Sequence, residues 1–311
     1  MISVFENKAV KIATLGRLMR FEALTLADIP AFRRYFTLAR MKTCDYSVGG
    51  MFMWRDYFRM EYAVENDILI SRLKNENGEI YYNLPLAADM RAATSYVIST
   101  LAENGRISFC TVPQDKLSLF DTLGDAVTVT EQASYADYVY APTDLITLAG
   151  KKFAGQRNQI SQFKRGVTHW EFLPLSAENL PAVRAYYGRT HAYAPAPNDS
   201  RSAESNMVFE VLDRMEDYQM LGGVLYADGD IVGFSLGEKI GDILYTHIEK
   251  ADRTCKGAYQ MLVQQFSAMY GADVSLINRE EDMGDPGLRA AKLSYHPQMQ
   301  LKKYIVDIQM P

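Results

Sequence analysis

The feature that most constrains this chain is an internal echo at about half its length. Phe21-Glu22-Ala23-Leu24-Thr25-Leu26, followed by Ile29-Pro30-Ala31-Phe32-Arg33-Arg34-Tyr35-Phe36, reads as a strand and then a helix. Trp170-Glu171-Phe172-Leu173-Pro174-Leu175, followed by Leu180-Pro181-Ala182-Val183-Arg184-Ala185-Tyr186-Tyr187, reads the same way. Alternating apolar residues make the strand. A proline fits the first helical turn because its missing N–H would find no partner there anyway. A tandem duplication leaves this spacing, although one short similarity also arises by chance.

The segments after each start support two comparable units. In the first half the pattern predicts a helix over Gly50 to Phe58, strands over Met60 to Val64, Ile68 to Leu73 and Ile80 to Leu84, and a helix over Met90 to Glu103. A strand over Ile107 to Val112, a helix over Gln114 to Leu123 and strands around Val127 to Val139 complete it. In the second half, Asp228-Gly229 between Gly223 to Ala227 and Ile231 to Leu236 signals a hairpin. Strand Ile243 to Glu249, helix Ala258 to Tyr270, strand Val274 to Ile277, helix Gly287 to Tyr295 and strand Lys303 to Ile308 come next. Antiparallel strands with interspersed helices give an α/β (α+β) fold with two mixed, mostly antiparallel sheets, not a doubly wound array. The expected division is an N-terminal extension (1–20), a first domain (21–142), a connecting basic helix (143–166) and a second domain (167–311).

Composition narrows the function. With 311 residues, 48% apolar and 23% charged, the chain is neither disordered nor a coiled coil, and its length suits two domains. No stretch approaches ~18 consecutive apolar residues, and the N-terminus lacks an apolar signal core, so neither a membrane span nor secretion is expected. Three distant cysteines fit a reducing cytoplasm, and four scattered histidines form no metal-ligand spacing, so no metal is expected. A net charge of −5 argues against a DNA-binding protein.

The residues with chemical potential cluster in the second half. Alternation along Tyr245-Thr246-His247-Ile248-Glu249 places Tyr245, His247 and Glu249 on one strand face, where His247 and Glu249 offer a base, or a polar pair facing solvent. Arg253-Thr254-Cys255-Lys256-Gly257-Ala258 opens a helix. Arg253, Lys256, Gly257 and Ala258 there suit an anion, or form an ordinary loop with solvated cations. Arg279, Glu280, Glu281 and Asp282 follow a strand and suit a cationic amine, or cap the next helix. Lys292 and Tyr295 lie on that helix, where a tyrosine serves as proton donor or as packing. From Leu145 to Trp170 there is no acid, and Lys151, Lys152, Arg157, Asn158, Lys164 and Arg165 make a stripe that follows an RNA backbone or is a solvated face.

In this order the pieces resemble the GNAT acyltransferase fold. The run Leu148-Ala149-Gly150-Lys151-Lys152 with Arg157-Asn158 and Phe163 is similar to a signature of one branch, the family named for the C-terminal domain of phosphatidylglycerol lysyltransferase. His247-Ile248-Glu249-Lys250-Ala251-Asp252, Asn278-Arg279-Glu280-Glu281-Asp282, Gly287-Leu288-Arg289 and Lys292-Leu293-Ser294-Tyr295-His296-Pro297 extend the likeness over nearly the whole chain after about residue 20. The resemblance implies two tandem GNAT-like domains, the first degenerate and the second holding a catalytic-type site. It also implies a donor, acyl-CoA or aminoacyl-tRNA, with no bound cofactor. Lys256 departs from the R-x-x-G-x-G/A phosphate loop, standing where its first glycine belongs.

The expected function is transfer of an acyl or aminoacyl group to an amine or hydroxyl of a small-molecule or peptide acceptor, with tRNA as a partner where the donor is aminoacyl-tRNA. In that reading Glu249 takes a proton, a strand amide meets the oxyanion and Tyr295 protonates the leaving group. The alternative is a non-catalytic ligand- or protein-binding module on the same scaffold. Neither donor, acceptor nor oligomeric state is set by the sequence.

Overall fold

The computed structural model describes residues 19–75, 77–191 and 200–310. All but the last two residues of the 1–20 extension, and the loop Tyr193 to Asp199 expected to rim a cleft, lie outside the described residues.

The first unit opens with β1 (Glu22–Ala23) and α1 (Ile29–Ala39), which buries Ile29, Phe32, Tyr35 and Phe36 along one stripe. The helix expected over Gly50 to Phe58 is shorter. It runs as α2 (Val48–Phe52), with the Ser47 hydroxyl accepting the Gly50 N–H at its start, and dissolves into turns after Met53. Strands β2 (Glu61–Glu65), β3 (Ile68–Lys74) and β4 (Ile80–Tyr82) lead to α3 (Met90–Leu101), which is capped by the Asp89 carboxylate accepting the Ala92 N–H. Then come β5 (Arg106–Pro113), 3-10 turns over 114–126 kinked at Gly124, β6 (Val127–Glu131) and β7 (Asp137–Tyr140).

The predicted connecting helix is two helices, α4 (Pro142–Thr147) and α5 (Ala154–Gly166). The second unit contains β8 (Trp170–Pro174), α6 (Leu180–Thr190), α7 (Ser200–Asp213), α8 (Met215–Tyr218), β9 (Leu221–Ala227) and β10 (Asp230–Ile240). It continues through β11 (Ile243–Ala251), α9 (Ala258–Tyr270), β12 (Leu276–Asn278) and α10 (Pro286–Leu293) to β13 (Met299–Leu301) and β14 (Lys303–Gln309).

Two seven-stranded mixed sheets result, in the orders β1-β2-β3-β4-β5-β14-β6 and β13-β7-β12-β11-β10-β9-β8. The domain boundaries expected at 142 and 167–311 are corrected by this pairing. β14, from the end of the chain, lies in the first sheet and pairs with both β5 and β6. β7, from the first half, lies in the second sheet between β12 and β13. Alternation marks each segment as a strand but carries no information on its partner, so the exchange is invisible to periodicity.

The units also share a core. Phe32 and Phe52 of the first belong to one apolar cluster with Tyr187, Val208, Phe234 and Leu236 of the second. A second cluster lies under α9.

At the junction, the Lys303 ammonium on β14 is 2.6 Å from Asp137 on β7, 2.7 Å from Asp45 and 3.6 Å from Glu281. Burial would drive the proton off Lys303, but Asp137 and Asp45 hold its pKa well above the ordinary lysine value. Replacing Lys303 with methionine strands those carboxylates without a counter-ion and is expected to cost about 3–5 kcal/mol. Urea unfolding tests this; a loss below about 1 kcal/mol would contradict the ion cluster as the tie between sheets.

Candidate functional site

β11 and β12 run parallel for only three pairs, ending at Tyr245 opposite Asn278. Beyond that point the chain splays into the loop Arg279 to Asp285, and strand ends of this kind are where α/β sheets receive ligands. The loop meets α2, the turn after it and strands β3 to β5 around a cavity of about 300 Å³. Trp54, Phe58, Tyr81 and Tyr135 form aromatic walls, while Asn83, Thr111 and Gln132 offer neutral hydrogen-bonding groups. Asp45, Glu280 and Glu281 supply three carboxylates, and among the described residues that line it there is no lysine, arginine or histidine.

Three of the lining residues have left-handed backbone: Thr111 (φ 49°), Glu280 (φ 59°) and Met283 (φ 49°). For a β-branched residue this is a genuine outlier. The strain is held by specific bonds. Thr111 N–H donates to Gln132 Oε1 at 3.1 Å, and Glu280 N–H donates to Asn278 Oδ1 at 2.8 Å. Backbone strain held in this way concentrates at functional sites.

Behind Glu280 lies a buried relay. His247 Nδ1 is 2.6 Å from Glu280 Oε1, and His247 Nε2 is 3.0 Å from Glu238 Oε1. Glu238 also accepts the Gly49 N–H at 2.7 Å and Arg33 Nη1 at 3.1 Å, so the first unit fixes a carboxylate of the second. Burial alone would lower the His247 pKa, but Glu280 and Glu238 push it up to about 10, so both ring nitrogens donate at neutral pH. Burial raises the Glu280 carboxyl above its ordinary value, with His247 opposing. Burial also pushes Glu281 upward, but Lys303, the Cys44 thiol and Lys292 together outweigh it and hold that carboxyl below its ordinary value.

The structure revises the placement of several predicted residues. β10 and β11 slip register between Leu236 and Gly237, which face Ile248 and Thr246, leaving His247 as a bulged residue. One extra residue reverses the alternation. Tyr245 and His247 stay together, stacked at 6.2 Å, while Ile248 joins the shared core. Glu249 therefore turns to the face of Leu244 and Ala251, opposite Tyr245 and His247, and the single-face expectation is corrected. There Arg279 binds it, with Nη2 at 2.7 Å and Nε at 3.3 Å from Oε2. The Arg279 guanidinium lies over the rings of Tyr140 and Tyr295.

Of the four residues expected to hold an amine, Glu280 and Glu281 line the cavity. Arg279 is drawn to Glu249, and Asp282 to Arg289 and the Tyr138 hydroxyl. Lys292 and Tyr295 are buried and do not line it. Lys292 donates to the carbonyls of Arg279 and Glu281, supporting the strained loop from beneath.

The expected anion cradle opens α9 beside α5. Gly257 has φ 81°, and a Cβ there would lie 2.1 Å from the Gln159 carbonyl oxygen, so α5 rather than a ligand makes the close approach. The amides of Thr254, Cys255 and Ala258 bond to Asp252 and Cys255 oxygens. Arg253 and Lys256 are exposed beside α5. On the basic stretch itself, Arg157 closes on the carbonyls of Leu148 and Gly150, Lys152 pairs with Asp144 at 2.8 Å, and Lys164 lies over Trp170. Lys151, Asn158 and Arg165 are exposed.

The sequence reading missed Glu238, Asp45, Asp137, Cys44 and Lys303. Glu238 had a signal: it shares strand parity with buried Phe234 and Leu236, and a carboxylate on an apolar face needs a partner. Cys44, Asp137 and Glu281 could together ligate a cation. Lys303 already stands among them, 3.4 Å from the Cys44 sulfur, so a metal would have to displace a buried lysine.

Comparison with known proteins identifies similar chains. The family model described as phosphatidylglycerol lysyltransferase, C-terminal, matches residues 36–307. A conserved protein of unknown function from Bacteroides thetaiotaomicron is 28% identical, with a TM-score of 0.83 over 94% of this chain and 100% of that one. L-PGS from Bacillus licheniformis (15% identical, TM-score 0.60, 89% and 90% covered) shares the fold, as does FemX (9%, 0.58, 94% and 98%). An uncharacterized Mycoplasmoides gallisepticum protein is 24% identical over 176 residues, spanning 56% of this chain and 57% of that relative.

Two measurements test the relay. His247 carries a pKa near 10 in the folded protein and about 6.5 in the unfolded chain. Its stabilisation is therefore complete below about pH 6.5 and is lost as pH rises through about 10. The stability difference between wild type and His247→Gln, followed by urea midpoints, should shrink across that window; a pH-independent difference contradicts the imidazolium. In Gly49→Ala the added Cβ would lie 2.3 Å from the His247 ring, which Glu238 and Glu280 hold from both sides. That overlap should cost about 1–3 kcal/mol by the same assay, and a neutral outcome counts against a fixed ring.

Proposed function

The chain belongs to the family of the C-terminal domain of phosphatidylglycerol lysyltransferase, and from that membership we propose that it transfers an acyl or aminoacyl group to an amine or hydroxyl acceptor inside the cavity between its two units. The observation that carries this reading is Glu280. It is a carboxylate of raised pKa at a cavity wall, backed by the buried imidazolium of His247. A base of this kind accepts the proton of the attacking nucleophile, while the strained loop fixes its position. The nucleophile attacks the donor's ester or thioester carbonyl, a new amide or ester bond forms, and the carrier leaves with its proton restored. In this reading Glu280 takes the role that the sequence suggested for Glu249, whose carboxylate is engaged by Arg279.

Lys256, standing where the usual acyl-CoA phosphate loop has its first glycine, leads us to favour aminoacyl-tRNA as donor. Exposed Lys151 just before α5, Arg165 on α5, and Arg253 and Lys256 in the turn before α9 suit its phosphates. A cytoplasmic location follows from that donor and agrees with three free thiols. Binding to tRNA should then weaken as salt rises; no binding at 50 mM salt, about the low end of the usual range, would remove the tRNA donor.

A panel of aminoacyl-tRNA and acyl-CoA donors against small amines and peptides tests the activity. Glu280→Gln should lower turnover by about 10²-fold or more without loss of fold. Unchanged turnover would remove Glu280 as the base, and ligand binding without any turnover by wild type would favour a binding module.

A further inference from the structure

The walls of the cavity describe what it can hold, a question that rests on the reading above for the site's role but not for its existence. Its volume of about 300 Å³ lies at the small end of ligand cavities, the size of one amino-acid residue rather than a lipid. Its charge is also limited. Asp45, Asp137, Glu281, Glu280 and Glu238 bring five negative charges to this wall and its backing. Lys303, Lys292, His247 and Arg33 return four positive ones. One negative charge is left over. That balance accepts one ammonium, offers nothing to a phosphate, and leaves a second ammonium uncompensated in a partly desolvated place.

The remaining surface is specific as well. Trp54, Phe58, Tyr81 and Tyr135 line it; an aromatic face attracts a cation, and rings pack against another ring. Asn83, Thr111 and Gln132, all uncharged, suit a carbonyl or amide. We propose that the cavity seats an amino-acid residue recognised through its α-ammonium by Glu280 and Glu281, with an apolar, preferentially aromatic, side chain among these rings. A lysyl-type dication and an anionic phospholipid headgroup are both excluded by the same walls.

Direct binding to the full chain separates this proposal from the question of turnover. The probes are L-phenylalaninamide, L-lysinamide, N-acetyl-L-phenylalaninamide and glycerol phosphate, used in thermal shift and calorimetry. L-Phenylalaninamide should raise Tm by about 2 °C or more and bind at least tenfold tighter than the other three. Trp54→Ala and Tyr135→Ala should each lose at least tenfold in that affinity. Tyr135 is 40% exposed, so its variant should keep the fold even if that of Trp54 does not. Equal or tighter binding of L-lysinamide or glycerol phosphate overturns the proposal, as does an affinity for L-phenylalaninamide unchanged in Tyr135→Ala. Binding of L-phenylalaninamide by a protein with no transferase activity upholds it and rejects the transfer reading. Transfer of other groups by a protein that ignores L-phenylalaninamide does the reverse.

Discussion

An ammonium held away from water needs counter-charges in contact, and Lys303 finds them on elements that belong to different sheets. It sits at the first residue of β14, the strand that completes the first sheet, and its nearest partner is the first residue of β7, the strand inserted into the second. The two exchanged strands are thus joined at their starts. Each sheet contains a strand that chain order would give to its neighbour, so neither unit has a complete sheet by itself. The shared core around Phe32, Phe52, Tyr187 and Phe234 follows from that interlock. A cavity built from both units is consequently held in register by backbone pairing, not merely by surfaces in contact.

Much of the architecture was legible because it is local. The Asp228-Gly229 hairpin, the stripe of α9 and the proline-started helices α1 and α6 depend on residues within a turn or two of one another. Strand exchange does not, because any strand with the right alternation could fill the gap between β5 and β6. The bulge at His247 was hidden for a different reason. A single inserted residue leaves no mark on composition yet reverses every side chain beyond it, and this moved Glu249 to the opposite face from its expected partner. The acidic loop was found by its place after a strand. Which of Arg279, Glu280, Glu281 and Asp282 face the cavity depended on Arg279 and Asp282 having partners elsewhere.

The two units differ in a physically coherent way. In the second, the turn before α9 has its glycine packed against α5, with the Gln159 carbonyl where a Cβ would stand. α5 belongs to the connection between the units, so the link that joins them also closes a surface that a free-standing second unit would expose. The cavity described above faces the first unit. There the first unit contributes aromatic and neutral walls together with Asp45, and the second contributes Glu280 and Glu281.

Charge is sorted accordingly. The exposed cations of α5 and the adjoining turn lie outside, while the carboxylates that line the cavity lie within. The inner carboxylates do not all carry the same structural weight. Glu281 and Asp45 compensate Lys303, and Glu238 anchors both His247 and the Gly49 amide, so neutralising any of them leaves a buried cation or donor without a partner. Glu280 has only His247 behind it and is the most open of the relay's three side chains. It is therefore the position where chemistry can be altered with least damage to the fold.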